Sequence, residues 1–328
     1  MNIAKYWSVK GIWFVFILVL CSCQKNDDNS TPSCADGIQN QGETSIDCGG
    51  PCAPCSVDKE KVIQDYKNFY LGSAVSDPGW NGNATACIAG SVSVGTHDKV
   101  LQRINYFRRL VGLNDNTTWD VSKFAQYQQT ALLMKANNAL SHNPPDTWSC
   151  WTSVAHAGAA SANLALGKNA ADAITLFIED PGAGNEAVGH RRWILHSPKT
   201  QFSYGSTDNT MALGVIGTAG GNTNIPPYIA YPSEGYFPQQ LVFQRWSFGI
   251  PNANFTNAQV TMTGPAGINV TLNVISRTAT GMGDNTIVWE PSNVVINSNS
   301  DMAYTIRISG VQNAPQSSYN YTVVIIKP

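Results

Sequence analysis

Two histidines stand in short contexts whose residue types can do chemistry. His142 lies in Ser141-His142-Asn143-Pro144-Pro145, and His190 lies in Gly189-His190-Arg191-Arg192-Trp193. Two neutral imidazoles and one carboxylate can hold Zn²⁺ with a coordination position open, where a bound water is activated. A Ser-His-Asp arrangement is the other option, with Ser141 or Ser161 as nucleophile. No local motif supports either chemistry: the chain contains neither His-Glu-x-x-His nor Gly-x-Ser-x-Gly. The structural alternative for His142 is a helix-end histidine that meets the last carbonyls and the helix dipole. His97 and His196 read as surface residues, and His156 as a packed loop residue.

These side chains need a scaffold, and hydrophobic periodicity outlines one. Residues 58–71 read as a helix with Val62, Tyr66, Phe69 and Tyr70 on one face and Gly72 as a stop. Val100, Leu101, Ile104 and Phe107 recur at helical spacing over 97–111. A third helix follows Asp120 as N-cap and runs to Leu140, which places His142 at its C-terminal end. A fourth starts at Asn169 and stops before Pro181. Residues 211–216 read as a buried strand. Beyond residue 222 the period drops to two: Val270, Leu272 and Val274 alternate with polar residues, as do Met302, Tyr304, Ile306 and Ile308. Turn residues separate these runs, the pattern of an antiparallel β-sandwich.

The N-terminus reads as an export signal. Lys5 and Lys10 precede an apolar run, Gly11 to Leu20, too short to span a bilayer as a helix. Leu20-Cys21-Ser22-Cys23 reads as a bacterial lipobox, with cleavage before Cys23 and lipid on its thiol. Anchoring to the outer or cell-surface membrane follows from that lipid. Gln24 to Asp28 resembles the surface-export signal of Bacteroidetes lipoproteins; a solvated linker explains it equally well. Export favours oxidised cysteines. Of eight cysteines, removing Cys21 and Cys23 leaves six. Cys34, Cys48, Cys52 and Cys55 crowd into a segment with almost no large apolar residues, which needs cross-links to hold a shape. Sequence leaves their pairing open. Asp36, Asn40, Glu43 and Asp47 add hard oxygen ligands there, so a Ca²⁺ site competes with a plain disulfide-stapled spacer. The formal net charge is −2 and no Lys/Arg cluster appears, which argues against nucleic acid as a partner.

Several pieces in order resemble the CAP superfamily, also called the SCP or pathogenesis-related-1 family. They are Arg103-Ile104-Asn105-Tyr106-Phe107-Arg108, Thr118-Trp119-Asp120, Ser141-His142, Asn163-Leu164-Ala165 and Gly189-His190-Arg191. The resemblance covers roughly residues 92–222. It implies an α-β-α sandwich, with helices on both faces of an antiparallel sheet and the two histidines in one cleft. It gives Asn105 and Arg108 structural roles, and places Trp193, Ile194 and Leu195 in the core, with Arg191 and Arg192 as structural or rim charges. It also implies that Cys87 and Cys150 pair. The family's Gly-Glu-Asn-(Leu/Ile)-Ala is similar to the stretch ending in Asn163, but Ala162 stands where the first cleft glutamate would be. The second acidic position falls on Asp180, with Glu179 and Glu186 as neighbouring candidates.

The fold expected is therefore α+β: an α-β-α sandwich CAP domain followed by an all-β antiparallel sandwich. The segments are a lipoprotein signal (1–22), a tether and Cys-rich disulfide module (23–57), a helical lead-in (58–91), the CAP domain (92–222) and the β-sandwich (223–328). The function expected is a non-catalytic, lipid-anchored cell-envelope protein that binds an extracellular ligand or protein through a cleft containing His142, His190, Asp180, Glu179, Glu186 and Asn163. A Zn²⁺ held by His142 and His190 in a metal-dependent hydrolase is the first alternative. An adhesin that binds through the β-sandwich is the second.

Overall fold

A computed structural model describes residues 59–223, 225–277, 281–296 and 299–328. The signal segment, Cys23, the cysteines at 34, 48, 52 and 55, and the calcium candidates Asp36, Asn40, Glu43 and Asp47 lie outside the described residues. No described helix is long and apolar enough to cross a membrane.

The first helix, α1 (Lys59–Asp65), continues as a π-helical turn over Tyr66–Tyr70 and a 3₁₀ turn over Leu71–Ser73. It is thus not the regular helix expected over 58–71. The π turn stacks the rings of Tyr66 and Tyr70, 5.1 Å apart. Helix α2 (Val94–Leu110) starts three residues early, because the Ser93 side chain caps it by accepting from Thr96 N–H. Strand β1 (Thr118–Trp119) leads through a 3₁₀ turn capped by Asp120 into α3 (Phe124–Asn137). Helix α3 stops short of Leu140. Asn138 takes the left-handed conformation (φ 45°), a stop that Asn tolerates better than most residues. His142 consequently sits in a loop beyond the helix, not at its end.

Helix α4 (Ser153–Ala159) is capped by Thr152. Then follow β2 (Ala162–Leu166), α5 (Ala170–Glu179), α6 (Gly189–Ile194), β3 (Gln201–Ser206) and β4 (Thr210–Gly214). The sheet order is β1-β3-β4-β2. β4 pairs antiparallel with β2 and β3, but β1 runs parallel to β3, so this sheet is mixed and not antiparallel throughout. The parallel pair arises because β1 reaches the edge from α2, with four helices and β2 between it and β3. On one face Ile104 and Phe107 of α2 and Ile174 and Ile178 of α5 pack with Phe202 and Leu213. On the other, Tyr127 and Leu133 of α3 and Ala159 of α4 pack with Leu164 and Ala212. Helix α3 lies directly on the sheet: a Cβ at Gly205 would meet the Gln128 backbone at 2.2 Å.

The C-terminal region contains β5 (Ile229–Tyr231), β6 (Gly235–Pro238), β7 (Trp246–Gly249), β8 (Gln259–Thr263), β9 (Leu272–Ser276), β10 (Thr286–Pro291), β11 (Met302–Ser309) and β12 (Ser318–Ile326). They form two sheets, β5-β7-β10-β9 and β6-β12-β11-β8. Trp246 and Phe248 of the first sheet meet Tyr304 and Tyr319 of the second. β6 pairs parallel with β12, so the sandwich is not wholly antiparallel either. β5 and β6 are separated by three residues yet enter different sheets, which brings β6 alongside the last strand in the same direction. All described residues fall within one compact unit, and a single apolar core runs from α2 and α5 into the sandwich.

Candidate functional site

A cleft of about 330 Å³ opens between the loop after α3, strand β2 and the C-terminal end of α5. His142, His190 and Asp180 line it, with Ser141 and Asn185 beside them. The rest of the wall is largely apolar: Leu140, Leu164, Leu166, Leu176 and Phe177.

Asp180 ends α5 in the left-handed conformation (φ 54°) and is 1% exposed. One carboxylate oxygen accepts from His190 Nδ1–H at 2.7 Å. The other accepts from the main-chain N–H of His190 at 2.9 Å and of Arg191 at 3.4 Å. The negative charge therefore sits on the first N–H groups of α6, where helix termini favour it. A carboxylate can only accept, so the His190 hydrogen is fixed on Nδ1 and the lone pair of the neutral ring on Nε2. The ring also stacks on Phe177, 5.5 Å between centroids. Asn163 completes the support, donating from Nδ2 to the His190 carbonyl at 3.0 Å.

His142 follows the same logic with a different acceptor. Its Nδ1–H donates to the Ala159 carbonyl at 2.8 Å, which again leaves Nε2 as the acceptor of the neutral ring. Among the described residues neither Nε2 has a hydrogen-bond partner.

The other sequence candidates lie elsewhere. Glu179 and Glu186 do not line the cleft. Glu186 accepts from Gly184 N–H, and main-chain N–H groups hold its carboxyl below the usual range. Ala162 shares a face of β2 with Leu164 and Leu166 but brings no ligand. His156 bonds Asn143 Oδ1 through Nε2 at 2.9 Å. Ser161 is engaged by Tyr127 and the Ala157 and Gly158 carbonyls, so only Ser141 remains at the cleft. No three His, Cys, Asp or Glu among the described residues are arranged to hold a metal. Both oxygens of Asp180 are already used, so the cleft offers two imidazole nitrogens where a catalytic zinc needs three protein ligands. These residues do not fit the zinc expectation.

The support behind the cleft is richer than the sequence suggests. Arg191 and Arg192 are no rim charges; they are 1% and 5% exposed. Arg191 donates to the carbonyls of Ile178 (2.6 Å), Glu179 (3.3 Å) and Arg245 (2.8 Å) and to Ser247 Oγ (3.0 Å). It thus satisfies the orphan carbonyls at the end of α5 and opposes the negative end of that helix. Burial pushes its guanidinium down to about 10. Arg245, from the sandwich, donates to the carbonyls of Asp180, Asn185 (2.9 Å) and Gly182 (2.7 Å). Nothing local in its sequence marks it. Arg108 donates to four carbonyls and pairs with no acid among the described residues. Asn105 accepts from Thr117, as a structural role requires.

His97 and His196 are not simple surface residues. His97 stacks on Phe124 at 4.8 Å, and burial lowers its pKa. His196 stands 3.6 Å from Asp284, and burial lowers its pKa despite that charge. Cys87 and Cys150 form a disulfide that ties the segment before α2 to the loop before α4.

Residues 101–212 match the model of CAP, the cysteine-rich secretory protein family. They form a CAP domain. The matched span holds the whole histidine cleft, from His142 through Asn163 and Asp180 to His190. No curated protein and no solved structure matches the chain.

Proposed function

We propose that this is an exported, lipid-anchored cell-envelope protein whose CAP cleft binds an extracellular ligand without transforming it. The observation that carries the reading is the commitment of the cleft's polar groups. Each imidazole spends Nδ1–H on a fixed acceptor, and the one carboxylate is spent on orienting His190. What remains are two Nε2 acceptors on a largely apolar wall, a pattern that recognises an apolar group bearing a hydrogen-bond donor. Export and anchoring rest on Lys5, Lys10 and the lipobox ending in Cys23. The residues just after it, Gln24 to Asp28, resemble a surface-export signal, and that resemblance is what an outer-membrane, surface-exposed location rests on.

Calorimetry of the purified chain with a long-chain alcohol and with its methyl ether tests the reading. The alcohol should bind and the ether should not, and His142→Ala and His190→Ala should each weaken the alcohol. Equal binding of both probes, or binding indifferent to both substitutions, sinks it. A parallel Zn²⁺ titration should show no tight site.

A hydrolase is the second reading, favoured by the Asp180–His190 pair. A buried carboxylate on Nδ1 is how a general-base histidine is oriented, and Ser141 shares the cleft. Ester turnover that disappears in both Ser141→Ala and His190→Ala would replace the binding reading with this one. An adhesin role of the sandwich would instead leave partner capture unchanged in every cleft variant.

A further inference from the structure

Strand β2 is an edge strand of the CAP sheet, and among the described residues it pairs with β4 alone. Alternate residues of such a strand turn their main-chain groups towards the neighbour and away from it. The flanking bonds show which set is spent. The Ser161 carbonyl accepts from Val215 N–H, and Gly167 N–H donates to the Asn209 carbonyl, both on the β4 side. Asn163 and Ala165 face the same way, opposite Leu213 and Met211. The N–H and C=O groups of Leu164 and Leu166 therefore point away from β4. Among the described residues they have no partner.

This open edge faces the histidine cleft. Leu164, Ala165 and Leu166 all line it. Yet their side chains alternate between the two faces of the sheet: Leu164 packs with Tyr127 and Leu133, Ala165 with Ile174 and Phe177. Consecutive residues with opposed side chains can border one cavity only along their edge. The walls agree, with Leu140, Ser141 and His142 on the α3 side and Leu176, Phe177 and Asp180 on the α5 side. The cleft is thus a slot that continues the plane of the sheet, floored by unmade main-chain hydrogen bonds. Leu164 is 6% exposed and Leu166 half-buried, so the edge is reached through the slot and not from the open surface. A folded partner, or a second copy of this chain, cannot bring its own sheet edge into such a slot. A single extended chain can. The donor and acceptor pair repeats every second residue, about 7 Å along the strand, and an extended peptide has the same repeat. A fatty chain would leave all four groups unmade.

We propose that the cleft takes an extended peptide, which adds to β2 as a further strand of the CAP sheet. Leu164 and Leu166 hold its backbone, and its alternate side chains enter the two walls. One set points towards Leu140 and His142, the other towards Phe177 and His190. Each wall joins apolar surface to an Nε2 acceptor, so a side chain with a methyl and a hydroxyl, such as threonine, suits both. This assignment rests on the binding reading of the cleft and adds the chemical class of its ligand.

The probe is the peptide acetyl-Lys-Thr-Thr-Thr-Thr-Thr-Lys-amide, titrated into the full chain by calorimetry. N-methylation of the first, third and fifth threonines blocks one edge of the peptide and leaves the other free. N-methylation of all five blocks both. The parent and the half-methylated form should bind alike. The fully methylated form should bind about tenfold more weakly or worse, the loss expected from two main-chain hydrogen bonds. With the parent bound, the Leu164 and Leu166 amide hydrogens should exchange more slowly, while Asn163 and Ala165, already bonded to β4, keep their rates. Leu166→Pro removes one outward N–H without touching a β4 bond and should weaken the parent peptide. Should that variant not fold, the methylated peptides decide. No binding of the parent at millimolar concentration, equal binding of all three forms, or unchanged exchange at Leu164 overturns the proposal. A long-chain alcohol that still binds would then show that the binding reading stands without it.

Discussion

Asp180→Asn is the most informative single substitution, because it keeps size and shape while removing the charge and turning one acceptor oxygen into an NH₂ donor. In the native chain two short bonds run to the carboxylate, from His190 Nδ1 at 2.7 Å and from His190 N at 2.9 Å. An amide has one acceptor oxygen, so it can serve only one of these donors; its NH₂ group must face the other. Hydrogen bonds to charged groups contribute about 1.5–3 kcal/mol each. A negative charge at a helix N-terminus adds about 0.3–1 kcal/mol. Relief from burying the carboxylate offsets part of that loss, leaving a cost of about 2–4 kcal/mol. At roughly 2–4 °C per kcal/mol for a chain of this size, the melting temperature should fall by roughly 5–15 °C. The amide should keep the main-chain bond and donate to Nδ1, driving the imidazole hydrogen to Nε2. The cleft would then present a donor where it had an acceptor. Melting curves report the first effect, and long-range ¹H–¹⁵N correlations of His190 in alkaline buffer report the second. Glu186→Gln is the control and should leave the tautomer alone. If Asp180→Asn costs less than about 0.5 kcal/mol and the hydrogen stays on Nδ1, the account of the cleft given above is wrong.

Other consequences can be checked alongside. Breaking the Cys87–Cys150 link frees a loop of 63 residues and should cost about 4 kcal/mol on the chain-entropy model, measured by urea unfolding of the double serine variant. Gly205→Ala places a methyl 2.2 Å from the Gln128 backbone and should destabilise the chain by at least about 3 kcal/mol, read as a lower urea midpoint. Burial holds His97 below its ordinary value of 6.5, so protons bind the unfolded chain more readily. Its contribution is fully present above pH 6.5 and is lost as pH falls from there towards the lowered folded-state value. His97→Phe should flatten stability across that window while keeping the stack on Phe124. Burial and nearby Lys123 and Arg108 push the Lys199 ammonium down to about 8. Its charged form is the one penalised, so stability should rise from pH 8 towards 10.5, and Lys199→Met should remove that rise.

The pieces that could be read from the chain are those where one local signal has one structural meaning. Val100, Ile104 and Phe107 have only one way to be buried together, and α2 follows. In β11 the alternation of Tyr304, Ile306 and Ile308 with exposed residues is reproduced in the burial pattern. Where a residue has two uses, reading stops. Asn138 can continue a helix or end one, and its left-handed choice moves His142 into a loop. Helix α4 is seven residues, mostly Ala and Gly with Val154 as its one large apolar side chain, so it gave no period. Strand β1 is two residues long, too short to declare its direction. Asp180, Asn163 and His190 could be named as neighbours through family order, but not the division of labour among them. That depends on the left-handed turn at Asp180 and on arginines whose partners are main-chain carbonyls, which carry no sequence identity.

Arg245 has a bearing on ancestry and engineering. Its guanidinium grips the turn just after Asp180, yet it lies 33 residues past the end of the matched CAP span. A segment excised at those limits would carry the histidines and lose the clasp that shapes their cleft. Transplanting this cleft onto another scaffold therefore means moving the sandwich with it. The two parts are expected to vary together as the lineage diverges, as a lock and its strike plate must be recut as a pair.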